Sequence, residues 1–245
     1  MSPEARSLFE AATQPYAGAG RYAWHFARGK LRHDPVFFSL LRHGLLPDRG
    51  RLLDLGCGQG LLLSLLRAAR EGYHAGWWPK DWPAPPLHLD LLGIELREDR
   101  VRTARATLGA GVTVMRGDLR EVALQPASVI VLLDVMLYLD EDEQLRLLDR
   151  VAAALEPGGL LLLREADAGA GWAFQVTKWS ERVACTLRGD FGRPLRYRDA
   201  VQWVAELAER GFAVEAEPMS EGTPFANVLY VARKEFVAGF PPPRE

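Results

Sequence analysis

Short apolar runs alternate along this chain with stretches of about ten to fifteen residues that carry helical periodicity. Five of the apolar runs are predicted strands, at residues 51–55, 89–95, 112–115, 128–134 and 160–164. The main intervening stretches are predicted helices, at residues 61–70, 97–108 and 141–155. Alternating strands and helices form βαβ units with right-handed crossovers, so the sequence predicts a doubly wound α/β fold with a mainly parallel sheet.

The last part of the chain breaks this alternation. A predicted helix over residues 198–210 leads into two strand candidates, residues 212–217 and 227–233, with no helix between them. We expect these strands to pair antiparallel at one edge of the sheet. The length suits one well-cored domain, and a single domain is predicted for residues 1–245.

Three stretches lie outside the alternation. Residues 1–45 are predicted to form an N-terminal helical cap. Residues 166–197 follow the fifth strand and are predicted to be an insertion that acts as a substrate lid. Residues 71–88 are rich in tryptophan and proline, which predicts a surface loop.

The composition excludes several classes of protein. Hydrophobic residues make up 48% of the 245 residues, charged residues make up 25%, and the net charge is −2. These values argue against a disordered chain and against a general attraction to nucleic acid or anionic membranes. Cys57 and Cys185 are too few for a disulfide framework or a zinc site. No run approaches the ~20 apolar residues of a membrane span and no secretory signal is visible, so a cytoplasmic location is predicted.

A glycine-rich turn, G-C-G-Q-G at residues 56–60, follows the first predicted strand. In doubly wound sheets ligands bind beyond the carboxyl ends of the strands, and glycines there let the backbone approach a ligand closely. The alternative is a tight turn with no ligand. Asp54, two residues before the turn, would repel a pyrophosphate but suits a positively charged ligand such as S-adenosylmethionine, which carries an ammonium and a sulfonium group.

Three further acids end predicted strands on the same side of the sheet. Glu95 ends the second strand, where an acid can accept hydrogen bonds from both ribose hydroxyls. Asp118 ends the third strand and is a candidate acceptor for an adenine amino group. Asp134 ends the fourth strand beside the same crevice.

These motifs resemble those of class I S-adenosylmethionine-dependent methyltransferases. The resemblance covers about residues 45–165, and the edge strands by topology only. The matching segments are L-L-D-L-G-C-G-Q-G at 52–60, G-I-E-L at 93–96, R-G-D-L at 116–119, V-I-V-L-L-D at 129–134 and L-E-P-G-G-L-L-L-L at 155–163.

The resemblance implies a seven-stranded sheet whose final strand is antiparallel, and S-adenosylmethionine as cofactor. It also implies that the glycine turn and Asp54 hold the methionine end, that Glu95 holds the ribose, and that Asp118 with Leu119 holds the adenine. The full set of predicted cofactor residues is Asp54, Gly56, Cys57, Gly58, Gly60, Glu95, Leu96, Asp118, Leu119 and Asp134.

The acceptor site is expected beneath the cap and the lid. The predicted catalytic candidates are Tyr138, which follows Asp134 in the loop that faces the methyl group, and two cap residues, His25 and Tyr22. Both outlying segments are basic, which predicts an anionic, aromatic or carrier-protein-linked small-molecule acceptor, although solvated helix faces would give the same pattern. The predicted substrate residues are Tyr16, Arg28, Trp172, Lys178 and Arg193.

Two other functions stay open at this point. A nucleic-acid methyltransferase, such as one acting on RNA, usually carries a D/N-P-P-Y motif for stacking a base, but D-V-M-L-Y stands at residues 134–138. A non-catalytic Rossmann-like nucleotide-binding protein is disfavoured by Asp54. No metal is expected, because Asp134 is the only acid that clearly lies at the end of the fourth strand.

Overall fold

The computed structural model describes residues 2–187, 192 and 194–235. Its centre is one seven-stranded sheet with the strand order β3-β2-β1-β4-β5-β7-β6. The strands are β1 Arg49–Leu55, β2 His88–Glu95, β3 Val112–Arg116, β4 Ala127–Leu133, β5 Leu155–Ala166, β6 Phe212–Pro218 and β7 Asn227–Lys234. Strands β1 to β5 pair in parallel, and β7 pairs antiparallel with both β5 and β6. The predicted mainly parallel seven-stranded sheet with an antiparallel edge is confirmed.

Eight α-helices accompany the sheet in the described residues. They are α1 Pro3–Thr13, α2 Arg21–His33, α3 Val36–Arg42, α4 Leu61–His74, α5 Glu98–Leu108, α6 Glu141–Ala154, α7 Gly171–Leu187 and α8 Ala200–Glu209. Alternate residues of β1 and β4 pack into different hydrophobic clusters, with Leu52 and Val129 on one face and Leu53 and Ile130 on the other. The sheet is therefore covered on both faces, as a doubly wound fold requires.

The N-terminal segment divides into two parts. Helix α1 places Leu8, Phe9 and Ala12 along one stripe, and this stripe joins the same hydrophobic cluster as α4. The Ser64 hydroxyl of α4 donates a hydrogen bond to the Ala12 carbonyl over 2.8 Å. Helix α1 is thus a core element, whereas α2 and Phe37 of α3 reach the carboxyl ends of the strands.

Two predicted segments differ in detail from the structure. The predicted surface loop at residues 71–88 begins inside α4, and Trp78 within it is buried, with its indole N–H donating to the Pro83 carbonyl over 3.0 Å. The predicted lid contains α7, but Arg193 lies outside the described residues.

Within the described part of the chain, no helix combines the length and the apolar character that crossing a membrane would take.

Candidate functional site

The glycine turn lies between β1 and α4 and bends the chain back toward β2. The amides of Gly56 and Cys57 both donate to the Ile94 carbonyl, over 2.8 and 3.1 Å. Gly58 has a φ of 57°, a left-handed conformation that favours glycine, and a Cβ built there would meet no atom within 4 Å. The backbone at Gly58 therefore faces open space that a ligand can approach.

This open space belongs to a cavity of about 560 Å³, the main cavity, at the carboxyl ends of the parallel strands. Its walls come from the glycine turn, α2, α5, α7 and the ends of β4 and β5. The lining residues are Tyr22, Phe26, Lys30, Phe37, Asp54, Gly56, Cys57, Gly58, Gln59, Leu61, Leu62, Arg97, Asp99, Arg100, Leu133, Asp134, Tyr138, Arg164, Glu181 and Ala184.

Asp54 is a buried acid at the base of the main cavity. Its side chain has no hydrogen-bond or ion-pair partner among the described residues. Burial, and then the neighbouring charge of Glu95, raises the pKa of Asp54 to about 7. A buried carboxylate with no partner is unfavourable, and a cationic ligand would relieve it. The ammonium group of S-adenosylmethionine fits this position chemically.

Glu95 supports the shape of the glycine turn. Its two carboxylate oxygens accept hydrogen bonds from the amides of Gly58 and Arg97, over 3.0 and 2.9 Å. The Arg100 guanidinium lies 3.8 Å from the same carboxylate. Its predicted contact with a ribose stays a prediction, and the side chain already fixes the turn beside the main cavity.

The predicted cofactor residues divide into two groups. Those that line the main cavity are Asp54, Gly56, Cys57, Gly58 and Asp134. Those outside its lining are Gly60, Glu95, Leu96, Asp118 and Leu119.

Asp118 and Leu119 illustrate the second group. The Arg120 guanidinium donates to both carboxylate oxygens of Asp118, and Leu119 is buried in the hydrophobic cluster on one face of the sheet. The N-terminal end of α5 instead brings Asp99, Arg100 and the capping residue Arg97 to the main cavity. Sequence reasoning missed this end of α5, although its position directly after Glu95 could have indicated it.

An ion-pair network crosses the ends of β4 and β5. Arg164 is fully buried and pairs with both Asp134 and Asp34. Lys30 of α2 lies 2.8 Å from the Asp34 carboxylate and 3.2 Å from the Asp134 carboxylate. Burial alone would lower the pKa of Lys30, but the charge of Asp134, followed by that of Asp34, raises it above its usual value. The network therefore holds α2 against the end of the sheet.

The three catalytic candidates lie in two places. The Tyr138 hydroxyl donates to the Glu181 carboxylate of α7 over 3.3 Å, and both residues line the main cavity. Tyr22 also lines the main cavity, is 69% exposed and stacks on Phe26 with 6.2 Å between ring centroids. His25 faces a neighbouring cavity.

Two of the predicted substrate residues have structural roles. Tyr16 is fully buried, and its hydroxyl donates to the Gln59 carbonyl over 2.9 Å, so it supports the glycine turn from behind. Arg28 pairs through both terminal nitrogens with Glu10 and lies 4.7 Å from the Phe9 ring centroid. Both side chains are outside the lining of the main cavity because closer partners hold them.

The other predicted substrate residues lie on α7 or beyond the described residues. Trp172 is 72% exposed, and the Lys178 ammonium lies 5.9 Å from the Phe174 ring centroid. Lys30 and Glu181, which sequence reasoning did not select, line the main cavity instead. Among the described residues, no group of three or more His, Cys, Asp or Glu side chains is arranged to hold a metal ion.

Comparisons with known proteins agree with this geometry. A family model described as a methyltransferase domain matches residues 23–217. The carboxy-S-adenosyl-L-methionine synthase of Chromohalobacter salexigens is 33% identical over 132 residues, which are 50% of this chain and 44% of that protein. The chain spans less than half the length of the first such relatives, since the matched segments cover 44% to 45% of those proteins.

Solved structures match at the level of the fold. Magnesium protoporphyrin IX methyltransferase from Synechocystis, with bound S-adenosylhomocysteine, has a TM-score of 0.60 and 19% identity, covering 93% of this chain and 94% of that one. Human N-acetylserotonin methyltransferase in complex with S-adenosylmethionine has a TM-score of 0.56 and 16% identity. The match covers 95% of this chain and 57% of that one.

Proposed function

This chain belongs to the methyltransferase domain family, and from that premise we propose that it transfers the methyl group of S-adenosylmethionine to a small-molecule acceptor held between α2 and α7. The observation that carries the proposal is the unpartnered, buried Asp54 carboxylate at the glycine turn. S-adenosylmethionine is the cofactor, and its ammonium group would be the cationic partner of Asp54.

The residues around the main cavity have separate parts in this reaction. Asp54 and the backbone at Gly58 would bind the methionine end, and the first turn of α5, with Arg97 and Arg100, would border the rest of the cofactor. Bound S-adenosylmethionine supplies an electrophilic methyl group on a sulfonium. The protein's main contribution is then to hold an acceptor in line with that methyl group and to exclude water.

Tyr138 and Glu181 are suited to handle the acceptor's proton. They contact each other over 3.3 Å between the sheet and α7, and both face the main cavity. An oxygen or nitrogen nucleophile that bears hydrogen loses a proton when it gains a methyl group. Glu181 can accept that proton while Tyr138 orients its carboxylate.

The charges around the cavity argue against the anionic acceptor that the sequence suggested. Arg28 is paired with Glu10, and Lys30 is shared between Asp34 and Asp134. These bases are neutralised within the protein, so their count along the sequence overstates the positive potential that an acceptor meets.

The names of the curated relatives provide a second candidate function, formation of a carboxylated S-adenosylmethionine, in which the sulfonium methyl would lose a proton and take up a carboxyl group from a carboxylate-bearing second substrate. The 33% identity over half of the chain favours it.

One assay separates the two functions. The protein is incubated with S-adenosylmethionine and a library of small metabolites, and the cofactor products are analysed by mass spectrometry. Methyl transfer predicts S-adenosylhomocysteine together with a methylated metabolite, and the second function predicts a carboxylated cofactor. The Asp54→Asn variant serves as the control and should form neither product above background. Products that form equally well with this variant would contradict the proposed site.

A further inference from the structure

The loop that follows β4 donates three consecutive amides to two consecutive residues of β5. The Asp134 amide donates to the Arg164 carbonyl over 3.0 Å. The amides of Val135 and Met136 both donate to the same carboxylate oxygen of Glu165, over 3.0 and 2.7 Å. Hydrogen bonds to an ionised acceptor are shorter and stronger than those to a neutral one. The start of the loop is therefore held in one position relative to β5.

Glu165 is an unfavourable residue for such a buried position. It is 2% exposed, and burial disfavours the charged form of an acid. Burial, followed by the charge of Asp134, raises the pKa of Glu165 to about 8, while the hydrogen bonds from Met136 and Val135 act in the opposite direction. Among the described residues these two amides are the only hydrogen-bond partners of the carboxylate. An apolar side chain would avoid the burial of an acid but would leave both amides without an acceptor.

Gln144 of α6 binds the same loop from its carbonyl side. Its side-chain amide is fully buried and donates to the Met136 carbonyl over 2.9 Å and to the Leu139 carbonyl over 3.5 Å. The Leu137 carbonyl between them accepts from the Arg196 amide over 2.9 Å. Buried N–H and C=O groups require such partners, and here the partners lie on both sides of the loop. The loop thus has little freedom to change its conformation.

The loop contains a short 3-10 turn, Met136–Tyr138, that ends at the main cavity. Met136 and Leu137 are buried, whereas Tyr138 is half-buried and lines the cavity. Its hydroxyl donates to the Glu181 carboxylate over 3.3 Å. A group that takes part in proton transfer must lie within hydrogen-bond reach of the acceptor, and a misplacement of about 1 Å can cost about 100-fold in rate. The position of this turn therefore matters for the reaction.

We propose that Glu165 is a positioning residue, which fixes the turn Met136–Tyr138 through its two amide hydrogen bonds and so directs the Tyr138 hydroxyl into the main cavity. Gln144 supports the same turn from the other side. Glu165 is outside the lining of the main cavity, so it acts through the turn and not by contact with cofactor or acceptor. The inference rests on the methyl transfer proposed above only for the use that the reaction makes of Tyr138.

The test follows the Tyr138 ring by NMR in the full, ligand-free chain. All tyrosines carry a ¹³C label at Cζ, and the Tyr138 resonance is the one that disappears in Tyr138→Phe. Glu165→Met keeps the size of the side chain but removes the acceptor, and we expect the Tyr138 resonance to shift by more than its linewidth or to broaden beyond detection. Glu165→Gln keeps an oxygen that can accept both amides, so its Tyr138 resonance should lie closer to that of the wild type than to that of Glu165→Met.

Asp167→Leu is the matched control. The Asp167 carboxylate also accepts from two backbone amides, those of Gly169 and Ala200, over 2.8 and 3.0 Å, but it has no hydrogen bond to the turn. This variant should leave the Tyr138 resonance in place even where its melting temperature falls. Gln144→Met withdraws the support on the carbonyl side and should also displace the resonance. It decides the question if Glu165→Met does not fold.

The amount of S-adenosylhomocysteine formed with the metabolite library links the turn to the reaction. If Glu165 acts through Tyr138, the combination of Glu165→Met with Tyr138→Phe should lose no more of this product than Glu165→Met alone, because residues that act as a unit are not additive. Losses that multiply in the double variant would show that Glu165 acts by another route and would overturn the inference.

The NMR outcomes are independent of the proposed function. An unmoved Tyr138 resonance in Glu165→Met, or an equal displacement in Asp167→Leu, would overturn the positioning role. So would a resonance in Glu165→Gln that is displaced as far as in Glu165→Met, since the side chain would then not act as an acceptor for the amides. A wild type that forms no S-adenosylhomocysteine would instead contradict the methyl transfer and leave the NMR result to decide the role of Glu165.

Discussion

Arg164, fully buried in β5, holds the carboxylate of Asp134 at the end of the neighbouring strand β4, with 2.9 Å between the Arg164 Nε and the Asp134 Oδ1. Asp134 has a φ of 58° and is the one residue other than glycine with a positive φ among the described residues. Such a conformation persists where surrounding contacts enforce it, and such residues cluster at functional sites. The arginine therefore keeps the loop after β4 in the shape that borders both cavities.

Replacing this arginine should be strongly destabilising. Arg164→Met would leave the largely buried Asp34 and the partly exposed Asp134 with Lys30 as their remaining partner, and loss of one member of a buried ion pair costs about 3–5 kcal/mol. Urea unfolding measures the change. Arg49→Met, at a residue 82% exposed in its side chain, is the control and should change stability by less than about 0.5 kcal/mol. An effect of Arg164→Met as small as that of the control would contradict the role of the network.

The Tyr16 hydroxyl should contribute to cofactor binding from behind the glycine turn. Tyr16→Phe removes the hydrogen bond to the Gln59 carbonyl, and we expect affinity for S-adenosylmethionine to fall several-fold, or about 1 kcal/mol. Tyr230→Phe is a matched control, since the Tyr230 hydroxyl is buried without a hydrogen-bond partner in the described residues. Calorimetry should show wild-type affinity for that variant. Equal losses in both variants would mean that the contact to the turn is unimportant.

The raised pKa of Asp54 predicts a pH dependence of stability. The pKa is about 7 in the folded protein and about 3.9 in an unfolded chain, so ionisation of Asp54 favours unfolding as the pH rises from 4 to 7. Asp54→Asn lacks this penalty. We therefore expect the unfolding free energy of the variant minus that of the wild type to be roughly 2 kcal/mol larger at pH 8 than at pH 5.

The control for this measurement is Asp90→Asn. Asp90 is an exposed acid that pairs with Arg51, and both residues lie in the amino-terminal halves of β1 and β2, away from the main cavity. Its difference from the wild type should stay nearly constant over the same pH range. A difference for Asp54→Asn that is also constant would show that this carboxyl titrates normally.

The positions of the strands and the glycine turn were predictable from local sequence. Apolar runs such as residues 129–133 fix which strands lie centrally, and Asp54 is tied to the turn by only two residues of chain. Both features are formed by residues that are adjacent in the chain, so the order of residue types in the sequence is enough to indicate them.

Long-range partners were not predictable. In the sequence Arg28 belongs to a basic segment with no acid close to it. In the structure it forms an ion pair with Glu10, which lies on another helix. Arg164 ends an apolar run and gives no sign that it would be buried between acids from two distant segments. Which charges are paired depends on tertiary contacts, and the sequence pattern does not contain them.

The most direct measurement is the calorimetric affinity of the full chain for S-adenosylmethionine, compared between the wild type, Asp54→Asn and Asp90→Asn at pH 8 and pH 6. The wild type and Asp90→Asn should bind, with affinity that falls up to about tenfold at pH 6, because a protonated Asp54 must first lose its proton. Asp54→Asn should bind at least about tenfold more weakly at pH 8 and show little change with pH. Wild-type affinity in Asp54→Asn at both pH values would contradict the assignment of this carboxylate to the cofactor.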